Sequence, residues 1–255
     1  MDIEILMDNK ELQHNKILPF QESAENKKTQ VAEMFNQIAI KYDFLNHILS
    51  FNIDKLWRKK AIQKLEINKP KIILDVATGT ADFAIVIEKI LKPEIIIGID
   101  ISEKMLEVGK KKIEELNLSK TIKLEIGDCE KLNFEENYFD AVTVAFGVRN
   151  FEKLINGLNE IKKVLKPNGV AVILEFSKPK NLIIKLFYKF YLNILVPFIG
   201  KMFSKNKEAY SYLNKSVQAF PEEEVFLKIL KEINFKNISA TKLSFGIATI
   251  YTAQK

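Results

Sequence analysis

Apolar runs and helical segments alternate along most of this chain, and that alternation is its strongest constraint on the fold. Short runs rich in Ile, Leu and Val cover residues 71–76, 94–99, 121–126, 139–146 and 170–176. Most are apolar almost without interruption, the pattern of strands buried on both faces of a parallel sheet. Between them, residues 81–91, 102–116 and 151–165 have helical spacing, with Ser102 suited to an N-cap. Lys166-Pro167-Asn168-Gly169 reads as the terminator of the third helix, and 221–233 as a further helix with Pro221 in its first turn. Two β-rich runs, 236–243 and 247–252, are separated only by a short turn at Ser244-Phe245-Gly246, which predicts an antiparallel hairpin. The expected architecture is α/β: a mostly parallel seven-stranded sheet with an antiparallel edge hairpin and helices on both faces.

In open sheets of this kind, ligands bind beyond the carboxyl ends of the strands, where the strand order switches. The first strand runs into Asp75-Val76-Ala77-Thr78-Gly79-Thr80-Ala81-Asp82, a small-residue turn with one glycine, Gly79. This is thinner than a G-x-G-x-x-G fingerprint, and it lacks the lysine of a P-loop. The second strand ends in Asp100, where a carboxylate can accept hydrogen bonds from both hydroxyls of a ribose. An acid there also suits the N-terminus of the helix that follows. The third ends in Gly127-Asp128-Cys129, where an acid can accept from the exocyclic amine of adenine. Each feature alone is also an ordinary turn. In this order they make a nucleoside pocket with a poor pyrophosphate signal, which fits S-adenosylmethionine better than NAD.

Composition narrows the chemistry. The 255 residues include one cysteine, Cys129, and two histidines, His14 and His47. An intrachain disulfide and a cysteine-based zinc site are excluded, and no metal is expected. Cys129 reads as a packing residue, with no histidine near it in sequence. The net charge is +6, but its lysines are spread over many helices instead of lining one groove with aromatics. No nucleic-acid partner is expected. Residues 1–30 are mostly polar and lack the features of a signal peptide, so a flexible N-terminal tail is expected. No uncharged stretch reaches the roughly 18–20 residues of a spanning helix, which predicts a cytoplasmic location.

Three motifs carry a likeness. They are Tyr42-Asp43-Phe44-Leu45-Asn46-His47-Ile48-Leu49-Ser50 continuing to Trp57, then Phe146-Gly147-Val148-Arg149-Asn150, then Lys163-Val164-Leu165-Lys166-Pro167-Asn168-Gly169 continuing to Glu175-Phe176-Ser177. On them, residues 31–255 resemble the C-methyltransferases of menaquinone and ubiquinone biosynthesis, within the Rossmann-like class I S-adenosylmethionine-dependent methyltransferases. Asp54 stands where the first motif usually has a histidine, and Ala145 where serine is frequent. The resemblance implies cofactor binding by Thr80 near the methionine portion, Asp100 on the ribose, and Asp128 and Cys129 beside the adenine, with Gly79 in the first loop. It implies methyl transfer to a ring carbon of a prenylated quinol. Gly79-Thr80-Ala81-Asp82 resembles menaquinone-pathway members and favours demethylmenaquinol; a benzoquinol is the alternative. Arg149, beyond the fourth strand, is then the candidate stabiliser of a phenolate. His47 is the candidate base, and Tyr42 a further catalytic candidate, both on a lid at 31–66.

An insertion at 178–220 contains an apolar, aromatic stretch at 181–200. Read as a helix, Asn181, Lys185, Lys189 and Asn193 form its only polar stripe. Three readings compete: a buried cap helix, a homodimer contact, and a surface that lies on a membrane or receives a prenyl tail. Lys178, Lys180, Lys201, Lys205 and Lys207 would suit anionic headgroups, giving peripheral contact with the inner face of the cell membrane.

Overall fold

The computed structural model describes residues 12–191 and 207–255. Its strands are β1 (Ile72–Val76), β2 (Ile95–Asp100), β3 (Ile122–Ile126), β4 (Phe139–Ala145), β5 (Leu165–Phe176), β6 (Lys236–Leu243) and β7 (Ala248–Gln254). They form one sheet in the order β3-β2-β1-β4-β5-β7-β6. Pairing is parallel from β3 to β5, and β7 runs antiparallel to both β5 and β6. The described helices are α1 (Lys27–Leu49), α2 (Ile53–Gln63), α3 (Asp82–Leu91), α4 (Glu103–Glu115), α5 (Leu154–Val164), α6 (Leu182–Phe190), α7 (Lys207–Ala219) and α8 (Glu223–Glu232).

The uninterrupted apolar strands are explained by a core on each face. Leu74, Val76, Val142 and Val144 pack with Leu158 of α5 and Phe226 of α8. Their neighbours Ile73, Ala141 and Val172 point the other way, against Ile62 of α2 and Phe83 of α3. Successive residues of a strand face opposite sides, so both parities must be apolar here. The strand order reverses between β1–β2 and β1–β4, which opens a crevice at the carboxyl end of β1.

Some boundaries differ from expectation for local reasons. β4 ends at Ala145 because Phe146 takes a left-handed backbone, φ 58°. The Pro167-Asn168-Gly169 segment does not separate helix from strand. α5 passes into β5 at Leu165, which pairs with Phe139, and a register shift follows before Ala141 pairs with Val170. Asn168 at φ 66° absorbs that irregularity. Pro221 precedes the capping residue Glu222, so it lies outside the first turn of α8.

The expected tail over residues 1–30 is corrected in its second half; residues 1–11 lie outside the described residues. Leu12 packs into the core, His14 is fully buried, and α1 begins at Lys27 with the Asn26 side chain accepting from the Thr29 N–H at 2.9 Å. Lys27 is itself buried, and its ammonium donates to the carbonyls of His14, Phe151 and Arg149 at 2.7, 3.1 and 3.3 Å. A polar sequence thus hides a buried tie, because the partners of Lys27 are backbone carbonyls that no pattern marks.

Burial pushes the Lys27 amine down to about 7, with Glu130 and Glu152 resisting. Above pH 7 the unfolded chain, with an ordinary lysine near 10.5, binds a proton that the folded chain lacks. Stability therefore rises with pH from about 7 upwards. The denaturant midpoint is expected to climb between pH 7 and 9, and the climb to vanish in Lys27→Met.

In the insertion, α6 turns Tyr188 inward but leaves Leu182, Ile183, Leu186 and Phe190 more than half exposed. The fully buried reading fails for this helix. Asn193, Lys201 and Lys205 lie outside the described residues. No helix among the described residues is long and apolar enough to cross a membrane.

Candidate active site

Two cavities lie side by side beyond the carboxyl ends of the parallel strands. The smaller, about 60 Å³, is floored by the turns after β1 to β4, including Gly79, Asp100, Asp128 and Gly147. The larger, about 330 Å³, is walled mainly by α1, α2, α6 and α7. Phe35, Tyr42 and Phe146 line both.

The first loop explains its own thin glycine signal. Ala77, Gly79 and Ala81 all sit at positive φ, 53°, 58° and 66°. Left-handed backbone costs a non-glycine residue roughly 1–2 kcal/mol, so two alanines here are tolerated strain. The loop is tight enough that a Cβ on Gly147 would lie 2.7 Å from the Ala77 Cβ. Beneath it, buried Asp75 accepts from the Thr78 and Thr143 hydroxyls, each at 2.6 Å, and burial raises its carboxyl to about 6.

Asp100 Oδ2 accepts from the Gly79 N–H and Oδ1 from the Ser102 N–H, both at 2.9 Å. Burial pushes its pKa up while these N–H groups oppose the rise. The carboxylate is fixed from behind and lines the smaller cavity. Asp128 lines it too; its Oδ1 accepts from the Glu130 N–H at 2.8 Å, and its Oδ2 meets the Lys28 ammonium at 2.6 Å. Cys129 is beside it, and burial raises its thiol well above the usual range, so it is no ready nucleophile.

Thr80 does not line the smaller cavity. It is buried, donates to Asp43 of α1 at 2.5 Å and accepts from Lys112 of α4 at 3.2 Å. Lys112 also pairs with Asp43 at 2.8 Å and closely with Asp82 of α3. This network latches the α1 lid onto the first loop. His47 lines neither cavity. Its Nδ1 lies 3.1 Å from Asp54 Oδ2, and its Nε2 lies 3.6 Å from Asp82 Oδ2.

The larger cavity holds most of the polar atoms that face an apolar space. Arg149 is 5% exposed and pairs with fully buried Glu175: its guanidinium donates to Oε1 at 2.9 Å and its backbone N–H to Oε2 at 3.3 Å. The same guanidinium bonds the Phe146 carbonyl. Burial works against the Arg149 charge, but Glu175 together with Tyr42 and Tyr212 outweighs it and the pKa rises. Arg149 sits 5.4 Å from the Phe176 ring centroid and Arg58 5.4 Å from that of Phe146; the two rings pack at 4.6 Å. An aromatic pair is thus flanked by two cations. The Arg58 Nε, the Arg149 Nε and the hydroxyls of Tyr188 and Tyr212 have no hydrogen-bond partner among the described residues. Tyr42 spans the two cavities; burial pushes its hydroxyl up, against the pull of Arg149 and Arg58.

Arg58, Tyr188, Tyr212 and Lys28 were not singled out in the sequence. They sit on helices, and only the folding of α1, α2, α6 and α7 over the sheet brings them to the cavities. Glu175 carried a signal: it is a charged residue inside an apolar strand.

A sequence profile of the ubiE/COQ5 methyltransferase family matches residues 22–255. The chain is 46% identical to the demethylmenaquinone methyltransferase of Bacteroides fragilis, over 94% of this chain and 98% of that one. It is 42% identical to the ubiquinone/menaquinone biosynthesis C-methyltransferase UbiE of Geobacter sulfurreducens, over 90% of each. A solved SAM-dependent methyltransferase of Thermotoga maritima superposes with a TM-score of 0.61 at 16% identity, over 88% of this chain and 99% of that one. That likeness is one of fold.

Proposed function

The chain belongs to the ubiE/COQ5 methyltransferase family, and from that premise we propose that it transfers a methyl group from S-adenosylmethionine to a ring carbon of a prenylated quinol, demethylmenaquinol above all. One observation carries this reading: a cavity lined by two strand-end carboxylates shares the walls Phe35, Tyr42 and Phe146 with a larger apolar cavity holding two guanidinium groups.

The residues of the smaller cavity fit the methyl donor. Asp100 would accept from the ribose hydroxyls, and Asp128 and Cys129 would border the adenine. Among the described residues, the one cation lining the cavity, Lys28, is already held by Asp128, so little is left to neutralise a pyrophosphate. When bound, S-adenosylmethionine supplies an electrophilic methyl group on a sulfonium that leaves as a neutral sulfide. The protein's part is alignment and charge. Tyr42, Phe35 and Phe146, which line both cavities, would stand between donor and acceptor. Phe146 and Phe176 offer an aromatic face to a quinol ring, and Arg149 is placed to stabilise a phenolate oxygen. The apolar walls exclude water.

A prenyl tail would leave past Ile53 and Ile184 at the cavity edge. Near them the exposed Phe51, Leu182, Ile183 and Leu186, with Lys55 and Lys185, form an apolar and basic rim. This rim favours peripheral contact with an anionic bilayer, where such a substrate resides. Side-by-side assays with a prenylated naphthoquinol and a benzoquinol test the reading. Methylation of the naphthoquinol, faster when it is presented in anionic vesicles than in neutral ones, is the expected result. No transfer to either quinol would overturn it. Equal rates in the two kinds of vesicle would remove the membrane contact alone.

A further inference from the structure

The larger cavity contains a carboxylate that the roles above leave unused. Asp54, in the first turn of α2, is 4% exposed and lines the cavity with Tyr42, Arg58 and Arg149. Ser50 Oγ donates to its Oδ1 at 2.5 Å, Arg58 Nε lies 3.6 Å from its Oδ2, and His47 Nδ1 stands 3.1 Å from Oδ2. On the far side of the imidazole, Nε2 faces Asp82 at 3.6 Å, and Asp82 pairs with Lys112. Those last two side chains are each 24% exposed. A line of titratable groups therefore leads from the cavity wall to solvent.

We propose that Asp54 takes the phenolic proton of the acceptor and that His47 relays it outward past Asp82. The inference rests on the quinol reading and adds the proton path to it. The other groups around the cavity do not suit the task. Arg58 and Arg149 are permanent cations. Tyr42 of α1, Tyr188 of α6, Tyr191 just beyond it and Tyr212 of α7 have their hydroxyls pushed up by burial, so they stay protonated. Among the described residues lining this cavity, Asp54 is the one carboxylate.

The balance is that of an aromatic substitution. The acceptor O–H bond breaks and an O–H bond forms on Asp54. The electron pair left on oxygen makes the ring carbon nucleophilic, a carbon–carbon bond forms to the methyl group, and the carbon–sulfur pair stays with sulfur. The ring carbon then gives its own proton back to the phenolic oxygen. One proton per turnover remains on Asp54, and it leaves through His47, with Asp82 and Lys112 at the exit.

The test is kcat against pH for the full chain with a naphthoquinol acceptor, beside donor affinity by calorimetry. Wild type is expected to lose activity towards acid pH along a single-proton limb. Asp54→Asn should lower kcat by about 100-fold or more, abolish that limb and leave donor affinity nearly unchanged. Asp54→Glu should recover part of the rate, and His47→Gln should move the limb with a smaller loss. A second reading uses 4-nitrophenol bound in the larger cavity, whose absorbance separates phenol from phenolate. Its ionised fraction at a fixed pH should rise in Asp54→Asn, because the carboxylate that accepts from the neutral phenol and opposes a second negative charge is gone. An asparagine variant with nearly full kcat, or with the limb in place, overturns the proposal. If that variant does not fold, an unmoved limb in His47→Gln overturns it. If wild type methylates no quinol, the quinol reading fails, and the nitrophenol measurement still decides whether Asp54 faces the phenolic oxygen: an unchanged ionised fraction in Asp54→Asn overturns the proposal.

Discussion

Asp100→Ala is expected to weaken S-adenosylmethionine binding by roughly 10²–10⁴-fold. The estimate follows from two hydrogen bonds to an ionised carboxylate, each worth about 1.5–3 kcal/mol, at about 1.4 kcal/mol per tenfold. The carboxylate is held by the Gly79 and Ser102 N–H groups, so it needs no rearrangement to receive a ribose. Alanine would also orphan those two donors and loosen the first loop. Asp100→Asn gives little relief, because one amide oxygen cannot serve both backbone donors and its NH₂ would face one of them. Asp128→Asn is expected to cost about tenfold, since an amide oxygen still accepts from an amine and only the pair with Lys28 is lost. Calorimetric titration of the two variants checks the order. Equal losses, or an Asp100→Ala affinity within a few-fold of wild type, would show that the ribose is held elsewhere.

The contrast between these two acids and the rest of the site explains what the sequence could reveal. Strands buried on both faces must be apolar at every position, so β1, β2 and β4 stand out as runs, and whatever closes them stands out too. Asp100 is legible for that reason; Asp128 closes β3, an edge strand with Lys123 and Glu125 exposed, and is marked only by its place after the Gly127 turn. The resemblance implies a place for Thr80 near the donor; its hydroxyl is tied to Asp43 and Lys112, and no pattern in the sequence marks that tie. His47 was singled out as the lone lid imidazole, and it stands one residue behind the cavity wall, with Asp54 in front. Such displacements depend on how α1 rotates about its axis over the sheet. A 23-residue helix, roughly 35 Å long, spans both cavities, and its face is set by partners far apart in the chain, Asp54, Thr80, Ser102 and Lys112 among them. Lys27 is the extreme case: a cation buried on backbone carbonyls leaves no pattern at all.

Arg149→Ala is expected to reduce kcat by about 10²–10³-fold, the usual loss for one donor that stabilises a developing oxyanion. It also strands Glu175, which is fully buried and would be left without its guanidinium partner. Breaking such a pair from one side costs about 3–5 kcal/mol of stability. A rate loss in the single variant would therefore confound chemistry with unfolding. The double variant Arg149→Ala/Glu175→Gln separates the two, because it removes the stranded carboxyl group while leaving the guanidinium absent. Thermal unfolding of the double variant is expected to return most of the way towards wild type. Its kcat is expected to stay as low as that of the single variant, with donor affinity preserved because Arg149 lines only the larger cavity. Arg149→Lys restores a charge without the planar fork and should regain little, since an ammonium cannot bridge Glu175, the Phe146 carbonyl and an acceptor oxygen together. If stability and kcat recover in parallel in the double variant, Arg149 serves the fold of the β4 turn and the phenolate role falls to Arg58, whose guanidinium lies on the other side of the same aromatic pair.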